Sequence, residues 1–262
     1  MAIGDETGGF PQGFCSGTLI TSRLVLTAAH CNIGFPAAYI QDDVRVFTGA
    51  DIASAEQSLG TDVWSVHPSY VPRAPMGQGH PYDVSLLRLD SDATIEPARF
   101  ELSSAVVAGD STIAVGYGCT TWGGNEFGVK ASAEVVINDV ADVFLFSATD
   151  QNPNQANVCN GDSGGSLVLD GTLVGVHSEG LLFMNEVPTL TVFSRVTAAL
   201  PWILDEIEAT HGTRDVCELN GWYGDGTCDP GCVTEDADCM TSASTSSGST
   251  SGQPPPADPE TE

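Results

Sequence analysis

One stretch of this chain, Thr197 to Thr210, carries helical periodicity, and the apolar runs before it are all short. Leu200, Ile203, Leu204 and Ile207 recur at spacings of three and four, and Gly212 follows as a stop signal. Upstream, Thr18-Leu19-Ile20 and Leu24-Val25-Leu26 flank Thr21-Ser22-Arg23 as the arms of a hairpin. Further strands are expected at 44–48, 63–67, 84–89, 112–117, 133–137, 143–146, 166–169, 173–177 and 191–195. The mixed stretch from Asp90 to Gly109 divides them into two similar halves. Short strands with turn signals between them predict an all-β chain, built as barrels or a sandwich. With 29 glycines, 15 prolines and only 16% charged residues, the composition suits turns better than long surface helices.

The chain has 8 Lys and Arg against 35 Asp and Glu, a formal charge of −27. Such a surface repels nucleic acid and anionic membranes, so neither is an expected partner. No apolar run reaches the ~20 residues that a membrane-spanning helix needs. Eight cysteines, an even number, predict disulfides and an oxidising compartment. The opening Met1-Ala2-Ile3-Gly4-Asp5-Glu6 has neither a basic nor an apolar leader region. A secreted or cell-surface protein whose leader lies outside this chain reconciles the two.

The stretch Val158-Cys159-Asn160-Gly161-Asp162-Ser163-Gly164-Gly165-Ser166 suits neither a core strand nor a helix. Glycine lets main-chain N–H groups approach a ligand closely. Ser163 is then a candidate nucleophile, with the N–H groups of Gly161 and Ser163 facing charge that develops on a carbonyl oxygen. The competing reading is a plain Gly-rich turn. A base and an orienting acid decide between the two.

His30 ends an apolar strand directly before Cys31. A Cys15–Cys31 bridge closing that loop of about 16 residues contributes on the order of 3 kcal/mol and fixes the imidazole in place. Asp83 stands at the mouth of the apolar run Val84-Ser85-Leu86-Leu87. A carboxylate entering a core must be paired to stay charged, and the His30 ring N–H is its natural partner.

Thr27-Ala28-Ala29-His30-Cys31, Asp83-Val84-Ser85-Leu86-Leu87 and Gly161-Asp162-Ser163-Gly164-Gly165 together resemble the three signature motifs of the trypsin/chymotrypsin-like serine proteases, in that family's order. Leu173-Val174-Gly175-Val176-His177-Ser178 and the terminal helix with Trp202 extend the resemblance from about Phe14 to Thr210. The resemblance implies two six-stranded antiparallel β-barrels followed by a C-terminal helix, with the site in the cleft between them. It also implies a serine endopeptidase, made as a zymogen, in which His30 is general base and then acid. Asp83 holds the imidazole tautomer, and Ser163 forms the acyl-enzyme. No cofactor is expected for catalysis, the expected partners are protein or peptide substrates, and the expected state is a monomer.

By the same resemblance Asn157 forms the floor of the primary substrate pocket, and Gly180 and Thr191 form its walls. Ser178-Glu179-Gly180 offers main chain on which a substrate pairs as an added strand. Glu179 replaces an aromatic residue of the family. Lacking an aspartate at 157, the pocket is expected to take a small or medium uncharged residue before the scissile bond.

In the family a freed Ile ammonium pairs with the residue corresponding to Asp162. Ile3 lies only 12 residues before Cys15, so the first strand of the N-terminal barrel is expected to be missing. The alternative function is therefore a catalytically inactive binding protein on a protease fold. The usual downstream partner of Cys159 has no counterpart before Cys217, and Cys119 lies in the loop that the family places beside the oxyanion region, so Cys119–Cys159 is expected. Three divisions follow: 1–210 as the protease domain (N-terminal barrel about 1–90, C-terminal barrel and helix about 91–210), 211–240 as a small Cys-rich appendage, and 241–262 as a disordered Ser/Thr/Pro-rich tail. The appendage holds Cys217, Cys228, Cys232 and Cys239, and loosely resembles a Notch-type repeat. Calcium on Asp225, Asp229, Asp236 and Asp238 is the metal expectation there, and a disulfide-stapled spacer without metal is the alternative.

Overall fold

The computed structural model describes residues 1–6, 12–33, 44–72, 79–103, 106–120, 127–148, 158–181 and 190–243. Its first half holds β1 (Ala2–Asp5), β2 (Gln12–Ser16), β3 (Thr18–Thr21), β4 (Leu24–Thr27), β5 (Arg45–Phe47), β6 (Ser58–Val66) and β7 (Ser85–Leu89). They pair antiparallel in the order β2-β1-β5-β6-β7-β4-β3. The two end members are consecutive in the chain, separated by Gly17 alone, so the sheet closes on itself. A Cβ at Gly17 would lie 2.7 Å from Val25 Cγ1, so the bend there needs glycine. The barrel therefore has seven hydrogen-bonded segments where six strands were expected, because one strand bends and counts twice.

The second half repeats the plan with β8 (Ser111–Gly116), β9 (Ala131–Val136), β10 (Asp139–Val140), β11 (Phe144–Ala148), β12 (Ser166–Leu169), β13 (Thr172–Leu181) and β14 (Leu190–Arg195). Their order is β10-β11-β14-β13-β12-β8-β9, and here β9 and β10 are the halves of a bent strand, joined by Ile137 and Asn138. Closing each sheet removes the open edges that would otherwise recruit other chains.

The first strand of the N-terminal barrel is present. All four residues of β1 are buried, between β2 on one side and β5 on the other. This overturns the expectation of a missing strand, which was one of the two grounds for the inactive-protein alternative; the other, an Asp162 without an ammonium partner, concerns the site.

A one-turn helix, α1 (His30–Ile33), follows β4, and the long helix α2 (Val196–His211) follows β14. Gly212 closes α2 in the left-handed region at φ 78°, its N–H bonded to Glu208 O. The helix buries Val196, Ala199, Ile203 and Ile207 in the same core cluster as Leu19, Val25 and Leu87 of the first barrel. Burying each of the two isoleucines is worth about 1.5–3 kcal/mol, so α2 ties the two barrels together.

The Cys-rich segment forms α3 (Val216–Asn220) and α4 (Ala237–Ala243), with disulfides Cys217–Cys232 and Cys228–Cys239. It is seated on the protease body. Val216, Cys217 and Trp222 belong to the first barrel's core cluster, Trp222 packs edge-on against Phe100 at 5.8 Å, and Asn220 donates to Ile20 O. No helix among the described residues is long and apolar enough to cross a membrane.

Candidate active site

β4 and β7 are ladder neighbours, with Thr27 opposite Ser85. His30 lies just beyond the end of β4 and Asp83 just before β7, so the pairing of the strands brings the two residues together. His30 Nδ1 and Asp83 Oδ2 are 2.7 Å apart, and the His30 main-chain N–H donates to Asp83 Oδ1 at 2.8 Å. The Asp83 carboxylate is fully buried and takes a third hydrogen bond, from Ser178 Oγ at 2.6 Å. Three donors offset the desolvation that would otherwise neutralise it. Tyr82, directly before Asp83, has φ 55° and stacks on His67 at a centroid distance of 4.5 Å. A tyrosine in the left-handed region is strained, and the stacking holds it there.

Burial raises the Asp83 carboxyl, but the His30 hydrogen bond and charge and the Ser178 hydrogen bond outweigh it, so the group ends below its ordinary value. Burial likewise depresses His30, and the Asp83 hydrogen bond and charge, helped by Glu179, carry it above its ordinary value. The pair is a carboxylate beside an imidazole that readily holds a proton.

Ser163 sits on a loop between Cys159 and β12. A Cys119–Cys159 disulfide anchors one side of the loop, and a Cys15–Cys31 disulfide anchors the base of His30. The first barrel grips the same loop through Ser16, whose N–H donates to Ser163 O at 2.7 Å and whose hydroxyl donates to Gly161 O at 2.8 Å. Gly164 has φ 80°, and any side chain there would collide with Thr27 and the Ser16 carbonyl. Neither Gly161 N nor Ser163 N donates to an acceptor among the described residues.

Asp162 is not among the residues that line the cavity shared by His30 and Ser163. Its Oδ1 accepts from Gly118 N at 2.9 Å and its Oδ2 from Cys159 N at 2.8 Å. Burial raises its carboxyl and the two N–H donors only partly oppose this, so its net shift is upward. The Met1 ammonium instead donates to Gly17 O at 2.7 Å, and burial, with the Lys130 charge, lowers it to about 5.

His30, Ser163, His177, Ser178, Glu179 and Gly180 line one cavity of about 220 Å³. No hydrogen bond joins His30 to Ser163 among the described contacts. Such contacts are often long before substrate binds. Ser178 is a bulge residue: His177 pairs with Phe193 and Glu179 with the very next residue, Val192. The bulge aims the Ser178 hydroxyl at Asp83. Glu179 Oε2 faces His80 Nε2 at 3.5 Å, with both side chains partly exposed. Thr191 is buried opposite Gly180 in the β13–β14 ladder, and Asn157 lies outside the described residues. The sequence pattern did not reveal Ser178 as a partner of Asp83, nor His177 as a cavity residue. A histidine in the otherwise apolar run Leu173–Val176 was the available signal for the second.

The carboxylates assigned to calcium do not form an open oxygen cage. Asp225 and Asp229 both pair with Arg99, whose guanidinium also lies over the Trp222 ring at 5.3 Å. Asp236 accepts from the N–H groups of Asp229, Asp238 and Gly224, and Asp238 from that of Gly226. Oxygens facing N–H donors and a guanidinium do not fit a divalent cation that takes six to eight of them. Cys15, His30 and Cys31 also lie close together, but both sulfurs are spent in a disulfide.

A family model described as Trypsin matches residues 3–203. A trypsin from Saccharopolyspora erythraea is 34% identical over 186 residues, covering 64% of this chain and 76% of its own. Chymotrypsin-2 from Vespa crabro is 27% identical over 206 residues, covering 74% of this chain and 88% of its own. Among solved structures, neuropsin, a serine protease expressed in the limbic system of mouse brain, superposes with a TM-score of 0.65 at 25% identity, over 79% of this chain and 92% of its own.

Proposed function

Because the chain belongs to the trypsin family of serine proteases, we propose that it is a secreted endopeptidase that cleaves peptide bonds through Ser163, His30 and Asp83. The observation that carries this reading is the buried Asp83 carboxylate, bonded to both His30 nitrogens that face it, beside a cavity that His30 shares with Ser163.

With Nδ1 held by Asp83, the other ring nitrogen of His30 is the one available to Ser163. It takes the hydroxyl proton as Oγ attacks the scissile carbonyl, and the imidazolium that forms is stabilised by the carboxylate. The free N–H groups of Gly161 and Ser163 receive the oxyanion. His30 then returns the proton to the leaving amine, and water repeats the sequence to release the acyl group. Members of the family need no cofactor for this chemistry. The strand segment at Glu179 and Gly180, half-buried at the first and exposed at the second, suits a substrate paired as an added strand. By resemblance to the family, the absence of an aspartate at 157 and the narrowing of the pocket by Thr191 below the open mouth at Gly180 favour a small or medium uncharged residue before the scissile bond. Four disulfides support an oxidising, extracellular setting.

A fluorophosphonate probe tests the reading directly. The purified protein should be labelled at Ser163, and Ser163→Ala and His30→Ala should abolish labelling while the thermal melt stays in place. A correctly folded wild-type protein that takes up no probe and cleaves no peptide overturns it.

A further inference from the structure

Ser16, the last residue of β2, is 1% exposed, and its polar groups reach different parts of the site. Its N–H donates to Ser163 O at 2.7 Å, and its carbonyl accepts from Thr27 Oγ1 at 2.7 Å. Its hydroxyl is held on both sides. The Tyr117 main-chain N–H donates to Oγ at 2.9 Å, and Oγ donates to Gly161 O at 2.8 Å. An amide N–H can only donate and a carbonyl can only accept, so the hydroxyl proton has a single possible direction. The relay runs from the second barrel, through a side chain of the first, to the nucleophile loop.

Gly161 depends on that relay. The bond from Ser16 is the one hydrogen bond it makes among the described residues. Its φ is 93°, a conformation suited to glycine, and Gly118 and Phe127 close on it so tightly that a Cβ would meet each at 3.0 Å. Asp162 bonds the main chain of Gly118 and Cys159 and leaves Gly161 to other partners. A residue with no side chain has its peptide planes set by whatever bonds its carbonyl. The Gly161 N–H is one of the two donors assigned to the oxyanion, so fixing the Gly161 carbonyl also fixes the aim of that N–H.

We propose that Ser16 is a positioning residue for the reaction, whose hydroxyl, oriented by the Tyr117 N–H, clamps the Gly161 carbonyl and so aims the Gly161 N–H at the oxyanion. The inference rests on the reading of Ser163 as nucleophile and His30 as its base. Without the hydroxyl, a buried N–H and a buried carbonyl both lose their partner, and the peptide at Gly161 is free to turn.

The test compares the full chain with Ser16→Ala, which removes the hydroxyl and keeps the β-carbon. The phosphonyl oxygen of a fluorophosphonate takes the place of the oxyanion, so the rate of Ser163 labelling reads the donors whatever the peptide specificity. Ser16→Ala should slow labelling by at least about tenfold, towards the 10²–10³-fold that follows loss of one oxyanion donor. The pH midpoint of labelling reports His30, whose bonds to Asp83 are untouched, and it should not move. Labelling at the wild-type rate overturns the proposal. So does slower labelling with a shifted midpoint, since the whole cleft would then have loosened. In the wild-type protein, phosphonylation should draw the Gly161 amide proton downfield in the NMR spectrum. No movement of that resonance overturns the proposal, even if Ser16→Ala does not fold. A wild-type protein that takes up no probe fails the enzyme reading, whereas normal wild-type labelling with an indifferent Ser16→Ala sinks this proposal alone.

Discussion

The hydroxyl of Ser178, on a strand of the second barrel, donates to Asp83 Oδ2, on the first barrel, at 2.6 Å. This bond spans the cleft, and with the Ser16 contacts to the nucleophile loop it holds the two halves of the site in register. A hydrogen bond to a charged group contributes about 1.5–3 kcal/mol. Ser178→Ala should therefore lower kcat/KM about tenfold or more, chiefly through kcat, with KM little changed. Steady-state kinetics on one peptide substrate reads the split. An unchanged kcat would show that Asp83 does not need its third donor.

The acidic limb of the pH profile follows from His30. In the proposed mechanism its imidazole must be neutral to accept the Ser163 proton, and its environment raises it above its ordinary value of 6.5. The kcat/KM should then fall as the pH drops through a midpoint above 6.5. Glu179→Gln removes one of the charges that raise His30, so it should move the midpoint downward. Asp83→Asn takes away the main stabiliser of the imidazolium and should cut kcat by about 10⁴-fold.

The parts of the site legible in the sequence were those written in adjacent residues. Ala28-Ala29-His30-Cys31 and Gly161-Asp162-Ser163-Gly164-Gly165 carry their chemistry in local spacing, and strand alternation placed most of both barrels. Strand β1 was illegible because Ala2–Asp5 is four residues with a glycine, recognisable only once β2 and β5 flank it. The Ser178 bond depends on a one-residue slip between β13 and β14, and no alternation pattern reveals a slip. Arg99 and Asp229 lie 130 positions apart, a separation at which charge patterning says nothing about pairing.

Asp162 holds the nucleophile loop through two main-chain N–H groups, those of Gly118 and Cys159. Asp162→Ala leaves both donors without an acceptor and frees the turn that positions the N–H groups of Gly161 and Ser163. Loss of one oxyanion donor typically costs about 10²–10³-fold in turnover, and a fall in kcat of at least 10²-fold is expected here. The His30–Asp83 pair is untouched, so the imidazole proton bonded to Asp83 should keep its downfield NMR resonance in this variant. Loss of that resonance would mean that the whole cleft had collapsed, not the loop alone.

The Cys-rich segment should be a structural part of the protease. Trp222 is 5% exposed and packs on Phe100 with Arg99 against its ring, and truncating a buried aromatic residue costs about 3–5 kcal/mol. Trp222→Ala should therefore lower the melting temperature of the entire chain in one transition, rather than releasing a separate module. Arg99→Gln should weaken the same seat, since it removes the cation that Asp225 and Asp229 share. Because that guanidinium already supplies the positive charge, calcium or a chelator should leave the wild-type melt unmoved. A melt that rises with calcium would show that the carboxylates release Arg99 to take the metal.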